Sequence, residues 1–367
     1  MALWIAGVAR GHNGGVCLLK DGEIVFSIEE ERLSRQKYDG GPYASLVKIL
    51  EYTDKIDYLV VSHTQPDESR VEFSGDNVIV GLARKLRLIN DPNNQVIMMD
   101  KWHHKMHASC AFYRSGFESA VALIVDGAGT FIPMNIDGAE EMTWELESIF
   151  DCAYPDKFKT LYKHQGGRGP WPSISAEMDS GREAEEGTHE LVLDDSGGIV
   201  KAYEAVTQYC GWQPIEAGKT MGLFPYGKYN EDIPAIYTDG GPSGKWLTTD
   251  RNVIIPTYPN GALVNVGRYE SLTSTEEEMK GDVTLLQNRR DMAYAIQTES
   301  QSMVLTLIRK AVAMSGNKNV VISGGYGLNC VANYWYLEQL KEEGINLYVE
   351  PISNDAGTAM GAALLIH

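Results

Sequence analysis

Apolar positions cluster in strand-length runs through the first hundred residues. Leu3–Val8 is apolar, Gly14–Lys20 follows a glycine-rich turn, and Glu23–Ile28 comes after Asp21-Gly22, a dipeptide suited to a tight hairpin. Pro42 then opens a helical segment, Tyr43–Tyr52, with Leu46, Ile49 and Leu50 on one side. Asp57–Ser62 and Gln95–Met99 read as two further strands. The predicted order is three antiparallel strands, a helix, strand, and then a helix that carries histidines.

A similar start recurs later. Ala120–Asp126 is an apolar strand ending in Asp126-Gly127-Ala128-Gly129, and Met142–Asp151 supplies its hairpin partners. Asp291–Met314 is the longest periodic helix. Asn319–Ser323 has a buried-strand pattern and runs into Gly324-Gly325. A helix over Leu328–Leu340, a strand over Asn346–Glu350 and a small-residue helix over Ala356–Leu365 follow. Tyr154–Gly198 and Tyr229–Pro259 are rich in glycine and proline with little pattern, and predict an insertion with long functional loops.

Two such halves predict an α/β, duplicated ribonuclease-H-like architecture of the actin and sugar-kinase kind. The expected division is residues 1–118 and 119–367, with the insertion at about 154–198. The glycine turns Gly11–Gly15, Gly127–Gly129 and Gly324–Gly327 would line one cleft between the halves, where backbone amides can cradle phosphate.

Composition narrows the classes. Apolar residues make up 43% and charged residues 22%, as in ordinary globular proteins. A formal charge of −18 argues against broad nucleic-acid binding, without forbidding a local basic groove. Arg84, Lys85 and Arg87 read as a solvated helix face. No apolar run approaches the roughly 18 residues of a membrane span. The opening run lacks the charged start and cleavage site of a signal peptide. The five cysteines are scattered and none forms a CxxC, which disfavours disulfides and a thiolate zinc site and predicts a cytoplasmic location.

His103 and His107 carry the sharpest chemical signal. On a helix an i, i+4 pair shares one side, and two imidazoles so placed can grip one metal ion. The competing reading is packing or surface histidines. His104 lies about 100° round the helix from His103. It reads as a general base, an acceptor contact or a packing histidine. His12, in the first glycine-rich turn, can contact phosphate or take a proton.

Several segments together resemble the O-carbamoyltransferases of the nodulation-factor and antibiotic-tailoring type. Gly11-His12-Asn13-Gly14 resembles their opening phosphate loop, and Glu29–Lys37 their "EEERxxRxK" segment. His103-His104-Lys105-Met106-His107-Ala108 is similar to "HHxxHA", and Val125-Asp126-Gly127 to the second phosphate turn. Glu216–Leu223 with Pro225-Tyr226-Gly227 resembles "EGKxMGLxPYG". Gly324-Gly325 with Leu328–Asn333 resembles "GGxxLNxxxN", and Asn354–Gly357 with Gly361-Ala362-Ala363 resembles "DAGxxxGAAL". The matches keep the family order from about residue 7 to the end.

The resemblance implies a reaction. A carbamoyl group, activated from carbamoyl phosphate and ATP as carbamoyl adenylate, passes to a hydroxyl acceptor in a domain also similar to the tRNA threonylcarbamoyl-transfer protein. It implies iron(II) or zinc held by His103, His107 and Asp355, with Asp126 completing the shell or orienting a water. Mg²⁺ is a further ion that ATP chemistry allows. Asp355 also reads as a helix N-cap, and Asp126 as a turn aspartate. Lys37, beside Arg35 after an acidic run, becomes a contact to carbamoyl or phosphate oxygens, or stays a solvated loop residue; Lys219 has the same two readings. Gly324, Gly325 and Asn329 are the nucleotide candidates, Asn329 being also a plausible N-cap. Glu299 reads as a ribose contact or, more simply, a surface glutamate.

Two departures stand out. The family usually carries a YrdC-like, adenylate-forming domain after the last helix, and His367 ends the sequence where it would begin. A shortened chain, an adenylate-forming partner and a one-domain variant all stay open. The usual His-Asp of the opening loop is His12-Asn13 here, which removes a carboxylate near the phosphates. The expected acceptor is a sugar, an antibiotic or a hydroxymethylated nucleotide; nucleic acid enters only as acceptor, and no membrane is involved. The alternatives are a tRNA threonylcarbamoyl-type transferase, a kinase of the same fold, and a non-catalytic nucleotide-binding protein.

Overall fold

The computed structural model describes residues 2–65, 72–73, 76–136, 138–167, 174–179, 188–195, 197–240, 246–257 and 261–367. In the first half, β1 (Trp4–Ala9), β2 (Gly15–Lys20) and β3 (Glu23–Glu29) form an antiparallel meander. After the helices α1 (Glu30–Ser34) and α2 (Tyr43–Lys48), β4 (Tyr58–Ser62) joins parallel to β1. Beyond α3 (Val78–Lys85), β5 (Val96–Met98) pairs parallel to β4. The resulting order is β3-β2-β1-β4-β5.

The helix α4 (His103–Ser115) leads into a second sheet. There β6 (Ser119–Val125), β7 (Ala139–Ala153) and β8 (Lys157–Gly167) are antiparallel neighbours. β9 (Thr188–Asp194) extends the edge beside β8, and α5 (Gly198–Tyr209), α6 (Ala217–Leu223) and α7 (Gln287–Ser315) follow. Then β10 (Asn319–Ser323) pairs parallel to β6 and, after α8 (Cys330–Leu340), β11 (Asn346–Val349) pairs parallel to β10. The order β8-β7-β6-β10-β11 repeats that of the first sheet, strand direction for strand direction. This is the duplicated ribonuclease-H-like fold.

Strands β1, β2 and β4 are buried on both faces, which is why they read as apolar runs and not as alternation. Ala6, Val8, Val16, Leu18 and Leu59 pack under Leu46 of α2 and Ile79 of α3. Ile5, Cys17, Leu19 and Val60 point the other way, onto Met106 and Cys110 of α4 and onto Ala359, Met360 and Ala363 of the last helix, α9 (Ala356–Ile366). The far side of α4, Ala108 and Phe112, packs on Ala120, Ala122, Ile124 and Phe150 of the second sheet. Thus α4 and α9 fill the seam between the sheets. Their approach needs glycine: a Cβ at Gly361 would lie 1.9 Å from Met106 O, and one at Gly7 would lie 1.9 Å from Ala359 O.

The stretch 154–198, expected as long loops, is largely sheet where it is described. β8 continues the hairpin from β7, and Ile174–Asp179 and β9 pair at its edge. Residues 168–173, 180–187 and 196 lie outside the described residues. The strand was hidden because β8 buries Lys163, His164 and Gln165, so no apolar period marks it. Lys163 pairs with Glu145 at 2.7 Å, and His164 is clamped between Glu147 at 2.6 Å and Asp194 at 3.0 Å. A register shift between Glu145 and Glu147 accompanies these separate pairings. In the stretch 229–259, described residues form short hairpin strands such as Ile254–Thr257 with Gly261–Val264; residues 241–245 and 258–259 lie outside the described set.

Candidate active site

The N-terminal ends of α4 and α9 meet at the floor of the cleft. The His103 backbone N–H donates to Thr130 Oγ1 at 3.0 Å, which pins the start of α4 to the turn after β6. Asp355 precedes α9 but makes no side-chain cap. Its carboxylate instead turns to the histidines: Oδ1 is 3.6 Å from His103 Nε2 and 3.8 Å from His107 Nε2. Asp126, at the end of β6, accepts Gly325 N–H on Oδ1 at 3.0 Å and sets Oδ2 3.4 Å from His103 Nε2. His107 Nδ1 lies 3.3 Å from Ser323 Oγ, which aims its Nε2 at the cluster. One ligand atom from each of His103, His107, Asp126 and Asp355 lies within 4.8 Å of the others.

This donor set fits a divalent cation. The two Nε2 atoms are 3.2 Å apart. Metal–nitrogen bonds of about 2.1 Å put two ligands roughly 3.0 Å apart at right angles and roughly 3.4 Å apart at the tetrahedral angle. Charge points the same way. Burial works against ionisation of both carboxylates, yet the neighbouring histidines hold Asp126 and Asp355 below the usual carboxylate range. Burial also disfavours a charged His103, but the two carboxylates outweigh it and push its pKa up to about 10. Two buried anions thus demand a cation, either one proton or a metal ion.

Above this cluster opens a cavity of about 650 Å³, large enough for a nucleotide. His12 and Asn13 line one wall, Gly127 and Gly325 the other. Gly324 has φ +89°, and a Cβ there would sit 2.4 Å from Val125 O, so the turn that presents Gly325 N–H to Asp126 requires glycine. All three predicted glycine turns therefore line the cleft, through Gly11, Gly127 and Gly325.

Residues 78–364 match the family described as "Carbamoyltransferase N-terminus". The chain belongs to this carbamoyltransferase family. It is 25% identical to nodulation protein NolNO of Sinorhizobium fredii over 97% of the chain and 46% of that protein. It is also 25% identical to the Synechocystis protein sll1178, over 97% of the chain and 55% of that protein. The chain spans about half the length of the curated relatives it matches. Among solved structures, full-length HypF in its phosphate- and nucleotide-bound form aligns at a TM-score of 0.53 with 14% identity, covering 99% of this chain and 55% of that one. That likeness supports the fold alone.

The other expected carbamoyltransferase residues take different places. His12 reaches the cluster, its Nδ1 3.6 Å from Asp355 Oδ2. His104 does not line the cleft: it is fully buried, with Nδ1 2.8 Å from Ser148 Oγ, and desolvation pushes its pKa down to about 4. A contact with acceptor is closed to it, because the turn at Gly129 covers the ring. Asn329 caps α8 through Ala332 N–H at 3.0 Å and pairs with buried Gln297, so its side chain is committed internally. Lys219 sits exposed at the rim, paired with Glu216 at 2.6 Å, and Lys37 is exposed nearby on the other half. Glu299 accepts the backbone N–H groups of Ile236 and Tyr237, a bracing role.

The acidic run that resembled a motif proves to be a brace. Asn354 donates to Glu29 at 3.1 Å, Glu30 accepts Ala44 and Ser45 N–H at 2.8 Å each at the start of α2, and Glu31 accepts Tyr38 N–H at 3.0 Å. Sequence reasoning passed over His63, Lys201 and Glu204, all of which line the cavity. His63 directly follows β4, and the carboxyl end of a parallel strand is where ligands gather in open α/β sheets; that position was the available signal.

Proposed function

We propose that this chain carries the site at which a carbamoyl group leaves carbamoyl adenylate, formed from carbamoyl phosphate and ATP, for a hydroxyl acceptor. The observation that carries this reading is the convergence of His103, His107, Asp126 and Asp355 at the floor of a nucleotide-sized cleft in a carbamoyltransferase-family chain. HypF, which shares the fold, has been solved with phosphate and nucleotide bound. Iron(II) or zinc held by these four residues would supply Lewis-acid stabilisation of negative charge on the donor.

The residues of the chain do the rest. The glycine turn at Gly11 lets the backbone approach the phosphate closely, while the Gly325 N–H stays on Asp126. His12 directs Nδ1 at Asp355, which leaves Nε2 to take the proton of the acceptor hydroxyl. As that proton leaves, the acceptor oxygen bonds to the carbamoyl carbon, the bond from that carbon to the phosphate oxygen breaks, and AMP departs with the electron pair. Lys37 and Lys219 at the rim supply positive charge beside the entering phosphates. The acceptor class is a sugar, antibiotic or hydroxymethylated nucleotide, and the adenylate comes from a YrdC-like activity in the same polypeptide or a partner.

The test is mass spectrometry of products after the chain is incubated with ATP, carbamoyl phosphate, a YrdC-like adenylate-forming enzyme and a panel of hydroxyl acceptors. A gain of one carbamoyl mass on an acceptor, lost in His107→Ala, is the expected result. Absence of product from every acceptor, with adenylate shown to be present, contradicts the reading.

A further inference from the structure

Gly11 lies between two imidazoles that face the cleft. One is His12. The other, His63, belongs to no recognised motif, yet it is the more firmly held. Its Nδ1 is 3.1 Å from Gln65 N and 3.1 Å from Gln65 O. These contacts ask for opposite roles. A backbone N–H is a fixed donor, so it needs Nδ1 as a bare acceptor, whereas Gln65 O already receives a hydrogen bond from Arg10 Nη2 at 3.2 Å. The neutral ring therefore carries its proton on Nε2. The turn is held from the other half as well, since Phe131 N–H donates to Thr64 O at 2.9 Å.

The Nε2–Cδ2 edge of the ring borders the space beside Gly11. His63 Nε2 and Asp355 Oδ2 are each 3.9 Å from the point where a Cβ on Gly11 would sit. Gly11 has φ +121°, a conformation that excludes other side chains, so this space stays open to a ligand. Burial, then the charge of Arg10, lower the proton affinity of His63 and keep the ring neutral. A neutral donor beside two floor carboxylates is poorly matched to a phosphate, which a cation binds better. It suits a carbonyl oxygen that gains charge only as the reaction proceeds.

We propose that His63 is a catalytic residue, donating through Nε2–H to the carbonyl oxygen of the carbamoyl group during transfer. The inference rests on the proposed function. It also gives the turn at residues 63–65 a purpose: Gln65 orients the ring and Phe131 ties it to the opposite wall.

The experiment compares wild-type chain with His63→Ala and with His63→Gln, whose amide nitrogen can replace Nε2–H. Metal content is measured in each. Calorimetry then compares AMP with a sulfamoyl-adenosine analogue of carbamoyl adenylate, and kcat and KM follow for transfer. His63→Ala should lose about tenfold in affinity for the analogue, and about 100-fold in kcat, while AMP affinity and metal content hold. His63→Gln should recover most of both losses. An unchanged kcat in His63→Ala overturns the role of His63. So does metal loss in His63→Ala, or a Gln variant no better than Ala. If wild type prefers the analogue to AMP by nothing at all, the carbamoyl-transfer reading fails, and this inference with it.

Discussion

Metal entry into the four-atom cluster must displace a proton, and the structure sets how firmly that proton is held. His103 is fully buried, which alone would lower its pKa, but Asp126 at 3.4 Å and Asp355 at 3.6 Å outweigh burial and raise it to about 10. A ligating imidazole must be neutral. At pH 8 only about one metal-free molecule in a hundred has a neutral His103, so apparent metal affinity is about 100-fold below its limit. Affinity should rise about tenfold per pH unit between pH 7 and 9, with about one proton released per ion from His103. The stability of the metal-free protein runs the opposite way. His103 has a folded pKa above its unfolded value near 6.5, so its contribution is complete below pH 6.5 and is lost as pH rises through about 10. Asp126→Asn removes one of the two carboxylates and should reduce proton release at pH 8. The assay is zinc titration calorimetry in buffers of different ionisation enthalpy. Tight binding with no proton release, and no change of affinity from pH 7 to 9, would refute the argument that Asp126 and Asp355 hold a proton on metal-free His103.

Other outcomes follow from the packing. Gly361→Ala drives a methyl group into the Met106 carbonyl and should cost about 2–3 kcal/mol in denaturant unfolding, by forcing α4 and α9 apart. Lys163→Met strands buried Glu145 without its partner and should cost about 3–5 kcal/mol at pH 7, much of it regained in the double variant with Glu145→Gln. In wild type, burial opposes the charge on Glu145, but Lys163 outweighs it and holds the pKa down to about 2. Its contribution is therefore present above pH 4.5 and lost as pH falls through about 2. In Lys163→Met the slope should reverse, because protonation relieves the stranded carboxylate; pH-dependent thermal unfolding reads this directly. Lys37→Ala should lower turnover while metal content stays whole, measured by elemental analysis beside a transfer assay.

Much of the fold was legible because β1, β2 and β4 of the first sheet are buried on both faces. Its strands, the strand at 319–323 and the last helix fall within a residue or so of where the pattern puts them. The second sheet was harder. β8 replaces apolar period with buried ion pairs that sequence alone cannot match to Glu145, Glu147 and Asp194. At the site, the i, i+4 histidines announced a shared side of one helix, but Asp126 and Asp355 join them only through the seam packing of α4 and α9. Asp355 makes no side-chain cap and turns its carboxylate to the histidines, a direction that a sequence does not encode locally. His63 had no motif, and the turn that orients it is held by neighbouring Gln65 and, from far along the chain, by Arg10 and Phe131.

The central claim is that transfer chemistry is organised by one metal ion at the meeting of α4 and α9. X-ray absorption at the iron and zinc edges, with metal quantified per chain in wild type and in His107→Ala, tests it most directly. The account predicts one ion per chain, bound through two imidazoles and carboxylate oxygen with no sulfur ligand, and lost on replacement of His107. Thiolate ligation, or full metal retention in His107→Ala, would contradict it.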